Sequence, residues 1–386
     1  MNRKQFVILL VLVLVIGAAG LLVRQRNSDS WHSGGATIGQ KLLPDLPVND
    51  IAQITIKAGA DQVSLVRQNN LWRVHERADY PANFSQISEM LLKIADLKAV
   101  QNEGVGPSQM GRFELLPPGP GSNTAASVEF KDQNGKIVGS LLLGKKHMKK
   151  PAANPQFPGM GDEGWPDGRY VVTGGAAAGT VALISDPLEN VQPKPDQWLS
   201  KDFLSVEKPA SIGVQFPEAT NSWKLTRATE TNDWQLADAK AGEKLDASKI
   251  SGVTSPLSSP SFNDVAPIAA GGSVSNTVLT VQTFDGFTYI SKIGPKHEDN
   301  YPVSFSITAS QPASRAAARD EKPEDKAKLD KDFQAQQKTL ADKLAKAQAF
   351  TNWVYQMPAY SIDEVLKPRA QLLEEASTNS TAQVQK

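Results

Sequence analysis

Apolar and polar positions fall into three regimes along this chain. The first is an unbroken apolar run from Phe6 to Val23, FVILLVLVLVIGAAGLLV. As a helix at about 1.5 Å per residue, such a run spans roughly 27 Å, close to the ~30 Å hydrocarbon core of a bilayer. It predicts a transmembrane helix over 6–23, a cytoplasmic stub over 1–5 and a polar linker over 24–50 that contains Gly34-Gly35. A cleaved leader is the competing reading, with Arg3 and Lys4 as its basic end and Gly17 and Ala19 as small residues near a cleavage site. The run continues through Leu21, Leu22 and Val23, past the ~7–15 residues of a usual leader core, and so favours a retained anchor. Basic residues flank both ends (Arg3, Lys4; Arg24, Arg26), which nearly cancels the charge bias. The short positive stub orients the N-terminus inside and the bulk outside.

From residue 51 the period drops to two. Ile54 and Ile56, then Val63 and Leu65, then Trp72 and Val74 read as three short strands. The same order recurs as Ile212 and Val214, Trp223 and Leu225, Trp234 and Leu236. Each series is followed by helical spacing. It is strong in Ile87, Met90, Leu91, Ile94 and Leu97, and weaker from Asp246 to Leu257 in Ile250, Val253 and Leu257. Hairpins come next, with Asn134-Gly135 between Ala126–Phe130 and Lys136–Leu143, and Asp285-Gly286 between Val278–Phe284 and Tyr289–Ile293. These dipeptides predict type I′ turns, whose two central residues both need positive φ. Gly135 and Gly286 stand 151 positions apart, and Gly144 and Gly294 stand 150 apart, so two landmarks share one register. A further strand follows each hairpin, at Arg169–Val172 and Tyr301–Phe305.

The predicted fold is therefore α+β: two tandem repeated modules, 51–210 and 211–373, each an antiparallel sheet with a covering helix. The third regime, Asp320 to Trp353, is dense in Lys, Asp, Ala and Gln, with a thin stripe of Leu329, Phe333, Leu340, Leu344 and Ala347. It predicts a long charged helix whose stripe meets one neighbour, either the protein's own sheet or a second chain. Residues 374–386 are Ser/Thr/Gln-rich and are expected to be a disordered tail.

Composition narrows the function classes. Lys plus Arg and Asp plus Glu both number 41, so no global field recruits nucleic acid. Zero cysteines exclude disulfides, thiolate metal sites, cysteine nucleophiles and a lipidated cysteine. At 386 residues, 40% of them apolar, the chain has material for two cores.

Several motif matches dissolve in context. Gly139-Ser-Leu-Leu-Leu-Gly144-Lys145-Lys146 nearly spells a phosphate loop, but leucines fill the loop and Lys146 replaces the magnesium-binding hydroxyl. Gly159-Met-Gly161-Asp-Glu-Gly164 matches a dinucleotide fingerprint only in spelling, inside a Pro/Gly stretch with no helix to open. His32, His75, His147 and His297 show no metal-ligand spacing. The sequence thus assigns no catalytic, cofactor-binding or metal-ligating residue, and the chain reads as a non-enzyme. Lys145, Lys146, Lys149 and Lys150 beside His147 form a basic cluster, read as a solvated loop or as a contact for anionic headgroups. Two loops, Gly104–Asn123 and Lys150–Gly168 with Phe157, Met160 and Trp165, have no counterpart in the second module and read either as functional surfaces or as packed lids.

Together the N-terminal anchor, Ile54, Ile56, Trp72 and Val74, the segments Leu141–Lys145 and Arg169–Val171, and the charged helix running into Trp353-Val-Tyr355 and Leu366–Leu373 resemble a bacterial family of membrane-anchored proteins, the domain-of-unknown-function family numbered 4340. Its members are often encoded beside ABC-transporter genes of the gliding-motility auxiliary type. The resemblance implies a single-pass inner-membrane protein with its bulk in the periplasm. Its partners would be the lipid bilayer through residues 6–23 and an ABC-type permease or auxiliary membrane protein. The resemblance brings no cofactor. Alternative expectations are an envelope module gripping glycan or peptidoglycan through exposed aromatics such as Trp165 and Trp198, and a hydrolase with carboxylates assembled across the modules.

Overall fold

The computed structural model describes residues 38–149, 164–174, 181–268, 277–315 and 321–375. The expected anchor at 6–23, most of the linker, most of the 150–168 loop and the tail beyond Glu375 lie outside them. Among the described residues, no helix is long and apolar enough to cross a membrane. The chain divides into two compact units, one ending at Ser200 and the other starting at Lys201.

The first unit is built on strands β1 (Gln53–Ala58), β2 (Asp61–Gln68), β3 (Leu71–Val74), β4 (Tyr80–Pro81), β5 (Gln101–Glu103), β6 (Ala126–Lys131), β7 (Ile137–Lys149), β8 (Trp165–Thr173) and β9 (Val181–Ile184). They form one sheet in the order β4-β3-β2-β1-β6-β7-β8-β9-β5, every pairing antiparallel. Register explains the burial. Val63 and Leu65 sit opposite Ile56 and Ile54, which sit opposite Val128 and Phe130, so one face gathers the apolar residues of three strands. Helix α1 (Phe84–Asp96) starts at Asn83, whose side chain accepts the Gln86 N–H at 3.2 Å, and buries Ile87, Met90, Leu91 and Ile94 as their spacing predicts.

Strands β7 to β9 are apolar on both faces, and the 104–125 segment covers the second face. Met110 and Leu115, with Ala125, form a cluster with Leu142, Val172 and Val181, edged by Val105, Phe113 and Tyr170. The Gly104–Asn123 loop is therefore a packed cover, stiffened by a 3₁₀ turn over Pro107–Phe113.

The hairpin turns differ from the expected type. Gly135 and Gly286 take φ of 78° and 86°, but Asn134 and Asp285 are not in the positive region, so neither turn is type I′. The Gly135 N–H returns to the Asp132 carbonyl, and the ladder shifts between Phe130 and Lys131, as in a bulged hairpin closed by a left-handed glycine. Both central residues are positive at Asn69-Asn70 (φ 50° and 63°), the β2–β3 turn, where asparagine tolerates the left-handed region.

The second unit contains β10 (Pro209–Gln215), β11 (Trp223–Thr226), β12 (Gln235–Leu236), β13 (Asp264–Pro267), β14 (Thr277–Thr283), β15 (Phe287–Ile293), β16 (Asn300–Ala309) and β17 (Trp353–Pro358). Their order is β12-β11-β10-β14-β15-β16-β17-β13, again antiparallel throughout. Alternation is clean here: Leu279, Val281, Phe287, Tyr289, Ser291, Ile293, Val303, Phe305 and Ile307 are buried, while their immediate neighbours within these strands are partly or fully exposed.

The helix expected over Asp246–Leu257 is only α2 (Ala247–Ile250). Asp246 caps it through the Ser248 N–H at 2.9 Å, but Gly252 and the residue preceding Pro256 disfavour further helix, and Leu257 takes φ 60°. Ile250, Val253 and Leu257 are buried nonetheless.

The long charged helix is α3 (Pro323–Gln348); its C-terminal half lies against β16, the protein's own sheet. Of its predicted stripe only Ala347 is fully buried, while Leu329 is exposed. Lys343 ties the helix to the β14–β15 turn through Asp285 at 2.8 Å, with its ammonium 5.0 Å from the Phe287 ring centroid. Glu374, expected in the tail, is held: its N–H donates to the Lys244 carbonyl and its carboxylate pairs with Lys244 at 2.7 Å.

Arg369 is 5% exposed in the second unit, between α4 (Ala359–Ile362) and the chain's end. Its guanidinium meets Asp238 Oδ1 at 2.9 Å and Glu243 Oε2 at 2.7 Å, and donates to the Asp238 carbonyl at 2.8 Å. Hydrogen bonds from Arg369, and then from the Lys240 N–H, hold the Glu243 carboxyl down at about 2, against an ordinary value of 4.5. A carboxyl depressed by folding stabilises the fold above its unfolded value and loses that contribution as pH falls toward its folded value. The melting temperature of the second unit is therefore expected to fall between pH 4.5 and 2, and Glu243→Gln to flatten that part of the acid slope while lowering stability at neutral pH. Calorimetry of the two proteins across that range is the check; identical acid slopes would remove Glu243 as their source.

Candidate functional site

Concave features come first. In the first unit a cleft of about 210 Å³ runs between α1 and the 186–191 segment, lined by Glu89, Met90, Lys93, Asp186, Glu189 and Trp198 among others. Its cation is committed: Lys93 lies 3.1 Å from Glu89 and 4.0 Å from Asp186, and these partners, Glu89 first, raise its pKa. In the second unit a cleft of about 440 Å³ lies under α3, lined by Phe203, Tyr289, Asp342, Lys343, Lys346 and Phe350 among others. Burial pushes the Tyr289 phenol up to about 12, with the Asp285 charge adding to it, so the hydroxyl stays protonated at neutral pH. Phe203 is the centre of an aromatic cluster here, with ring centroids 5.0 Å from Phe262, 5.3 Å from Phe350 and 4.6 Å from Tyr355. That cleft is the seam of a core.

Among the described residues, no group of three His, Asp or Glu is placed to hold a metal. Two imidazole–carboxylate pairs exist, His75–Asp79 at 3.2 Å and His147–Asp167 at 2.6 Å. Neither imidazole hydrogen-bonds a hydroxyl, so neither is wired as the base of a nucleophile. His297 belongs to a turn, its backbone exchanging hydrogen bonds with Asn300. The near-phosphate-loop Gly139–Lys146 is a stretch of β7, and Gly144 is where the Phe113–Leu115 cover closes onto the strand.

The aromatics expected to face glycan part company. Trp198 is 0% exposed and its indole N–H donates to the Gln192 carbonyl at 2.9 Å; it serves the core and presents nothing to a ligand. Trp165 is 52% exposed.

Trp165 belongs to the feature that stands out from the scaffold. The β6–β7 ladder ends at the Ala126–Leu143 pair, and the β8–β9 ladder ends at Arg169–Ile184. Beyond those rows β7 and β8 continue alone as a two-stranded ribbon, pairing His147 with Gly168, Met148 with Pro166 and Lys149 with Trp165. A bulge between His147 and Met148 sets Asp167 against the His147 ring. With no described strand on either side, the ribbon leaves Met148 48% exposed on one face and Trp165 52% exposed on the other. Lys145 and Lys149 are exposed and form no ion pair among the described residues, whereas Lys146 meets Glu189 at 2.7 Å. At the ribbon's root Arg169 donates to the Gly144 carbonyl at 2.8 Å, and burial lowers its pKa. The basic cluster was legible in the sequence; its merger with Met148 and Trp165 was not, because strand β8 begins four residues earlier than the predicted Arg169.

Comparison with protein-family models, curated proteins and solved structures finds no match for this chain.

The ribbon's root gives a stability prediction. A β-carbon on Gly144 would press on the Phe113 carbonyl and come within 2.7 Å of Leu115 Cγ, whereas one on Gly106 would meet nothing within 4 Å. Gly144→Ala is expected to cost about 1–3 kcal/mol by overpacking, and Gly106→Ala to be neutral or slightly stabilising by stiffening the unfolded chain. Urea unfolding of both variants checks this; equal midpoints would show that the cover does not bear on β7.

Proposed function

We propose that this is a non-enzymatic, membrane-anchored accessory protein of the bacterial envelope. One N-terminal helix over 6–23 holds it, both units stand on the extracytoplasmic side, and it works by contact with an ABC-type permease or auxiliary membrane protein. The observation that carries the reading is the apolar run Phe6–Val23, whose length matches a bilayer and exceeds a usual leader core. The resemblance of the anchor, strand and charged-helix segments to the gliding-motility-associated family supports the choice of partner.

The surface chemistry agrees with a contact role. One lysine of each cleft is committed to an ion pair, Lys93 in one and Lys343 in the other, while the ribbon exposes large apolar side chains with lysines that form no ion pair among the described residues. Internal duplication belongs to the same reading. With β4 set aside, the two sheets follow the same order, third strand, second, first, fifth, sixth, seventh, eighth, fourth, counted within each unit.

Two measurements test the proposal. Membranes washed with alkaline carbonate are expected to retain the full-length chain with residues 6–23 intact; a mature N-terminus near Gly20 in the soluble fraction would overturn the anchor. Purification of the tagged chain from gently solubilised membranes is expected to recover a permease-type subunit, and repeated recovery of the chain alone would overturn the partner.

A further inference from the structure

We propose that the β7–β8 ribbon is the element through which the first unit seats on an anionic lipid surface, with Lys145 and Lys149 meeting headgroup phosphates and Met148 and Trp165 entering the interface. The inference rests on the anchored reading above and adds to it a site and a ligand chemistry.

Two independent observations converge on it. The first is chemical. Amphipathic Trp with neighbouring cations is the combination that settles at the headgroup level, the ring in the interface and the ammonium groups at the phosphates. The ribbon supplies both, with Trp165 directly across from Lys149 and Met148 next along the strand. Among the described residues, Asp167 is paired with His147 and Glu189 with Lys146.

The second observation is topological. Lys146 pairs with Arg169 and Arg169 with Ile184; one residue further along each strand, Gln101 pairs with Leu183. Val100, Ile184, Arg169 and Lys146 therefore lie on one row across four strands. The ribbon extends past that row on the side of Ala99, and the Gly39 N–H donates to the Ala99 carbonyl at 2.9 Å. The described chain thus begins at the end of the sheet from which the ribbon projects. With strands ~4.8 Å apart, Gly39 lies about 20 Å from the ribbon. Only residues 24–37 separate Ile38 from the apolar run, at most about 50 Å of fully extended chain. An anchor at 6–23 therefore tethers this end of the first unit to within that reach of the bilayer, and the ribbon lies on the same side of the row, where Ile38 and Val100 are exposed as well.

The absence of cysteine makes the test direct, since one introduced cysteine carries one label. Full-length Met148→Cys and, as reference, Ile137→Cys at the opposite, also exposed end of β7 take an environment-sensitive fluorophore. Each is reconstituted into vesicles of phosphatidylcholine alone or mixed with phosphatidylglycerol, both doped with a headgroup-nitroxide lipid. Quenching several-fold greater at position 148 than at 137, stronger with phosphatidylglycerol and reduced by Lys145→Glu with Lys149→Glu, supports the inference. A retained chain whose position 148 is quenched no more than 137 overturns it and leaves the anchored reading standing. Quenching indifferent to lipid charge and to charge reversal also overturns it, as a purely tethered approach or a protein contact would give. A chain stripped from the vesicles by alkaline carbonate overturns the anchored reading, and this inference with it.

Discussion

A sheet's two faces must each be covered if they carry apolar side chains, and how each face is covered decides the rest of this protein. In the second unit the alternation along β14, β15 and β16 is strict, so one face holds Val281, Tyr289, Phe305 and Ile307 and needs one cover. Phe203, Phe262, Phe350 and the C-terminal half of α3 provide it. In the first unit Leu141, Leu142 and Leu143 run consecutively, as do Val171 and Val172, so the register points apolar groups both ways. The 104–125 segment exists in that unit because the second face of β7 to β9 would otherwise be wet.

The ribbon follows from the same constraint by exception. Past Leu143 and Arg169 neither β6 nor β9 pairs with the ribbon. Met148 and Trp165 stand there about half exposed. Large exposed apolar groups beside exposed cations mark a surface that a partner can cover.

What the sequence made legible tracks how local the determining physics is. Strand pairs joined by short turns were readable, since alternation and turn residues sit within a dozen positions of one another: β10–β11, β6–β7 and β14–β15 all stand where Ile212, Val128 and Val281 placed them. Turn type was less legible, because Asn134-Gly135 admits either a I′ turn or a bulged closure and the neighbouring Asp132 carboxylate, accepting from Asn134 and Lys136, selects the second. The length of α2 was misread because Ile250, Val253 and Leu257 keep helical spacing while their backbone turns. Non-local partners were invisible. Phe203 had no periodic neighbours to announce a core role, Trp198 looked like an exposed aromatic in a Pro-rich stretch, and Arg369 meets Asp238 and Glu243 across more than a hundred positions. The ribbon was split for the same reason, its lysines and its tryptophan lying on either side of a long loop.

The geometry also constrains how such a scaffold touches a neighbour. A contact protein made of sheets would most simply recruit a partner strand along an open edge, where unpaired N–H and C=O groups wait. The edges here are poor templates. β4 is two residues long and ends in Pro81, whose carbonyl already accepts the Ser200 N–H; β12 is two residues, β5 three, and β13 closes on Pro267. Short edges and prolines that cannot donate remove the ladder a strand would need. Contact through side chains is what remains, and it favours surfaces whose shape is fixed by the sheet but whose chemistry is free of it. The ribbon meets both conditions, since Gly144 and Arg169 lock its root to the sheet while its far residues answer to no neighbouring strand.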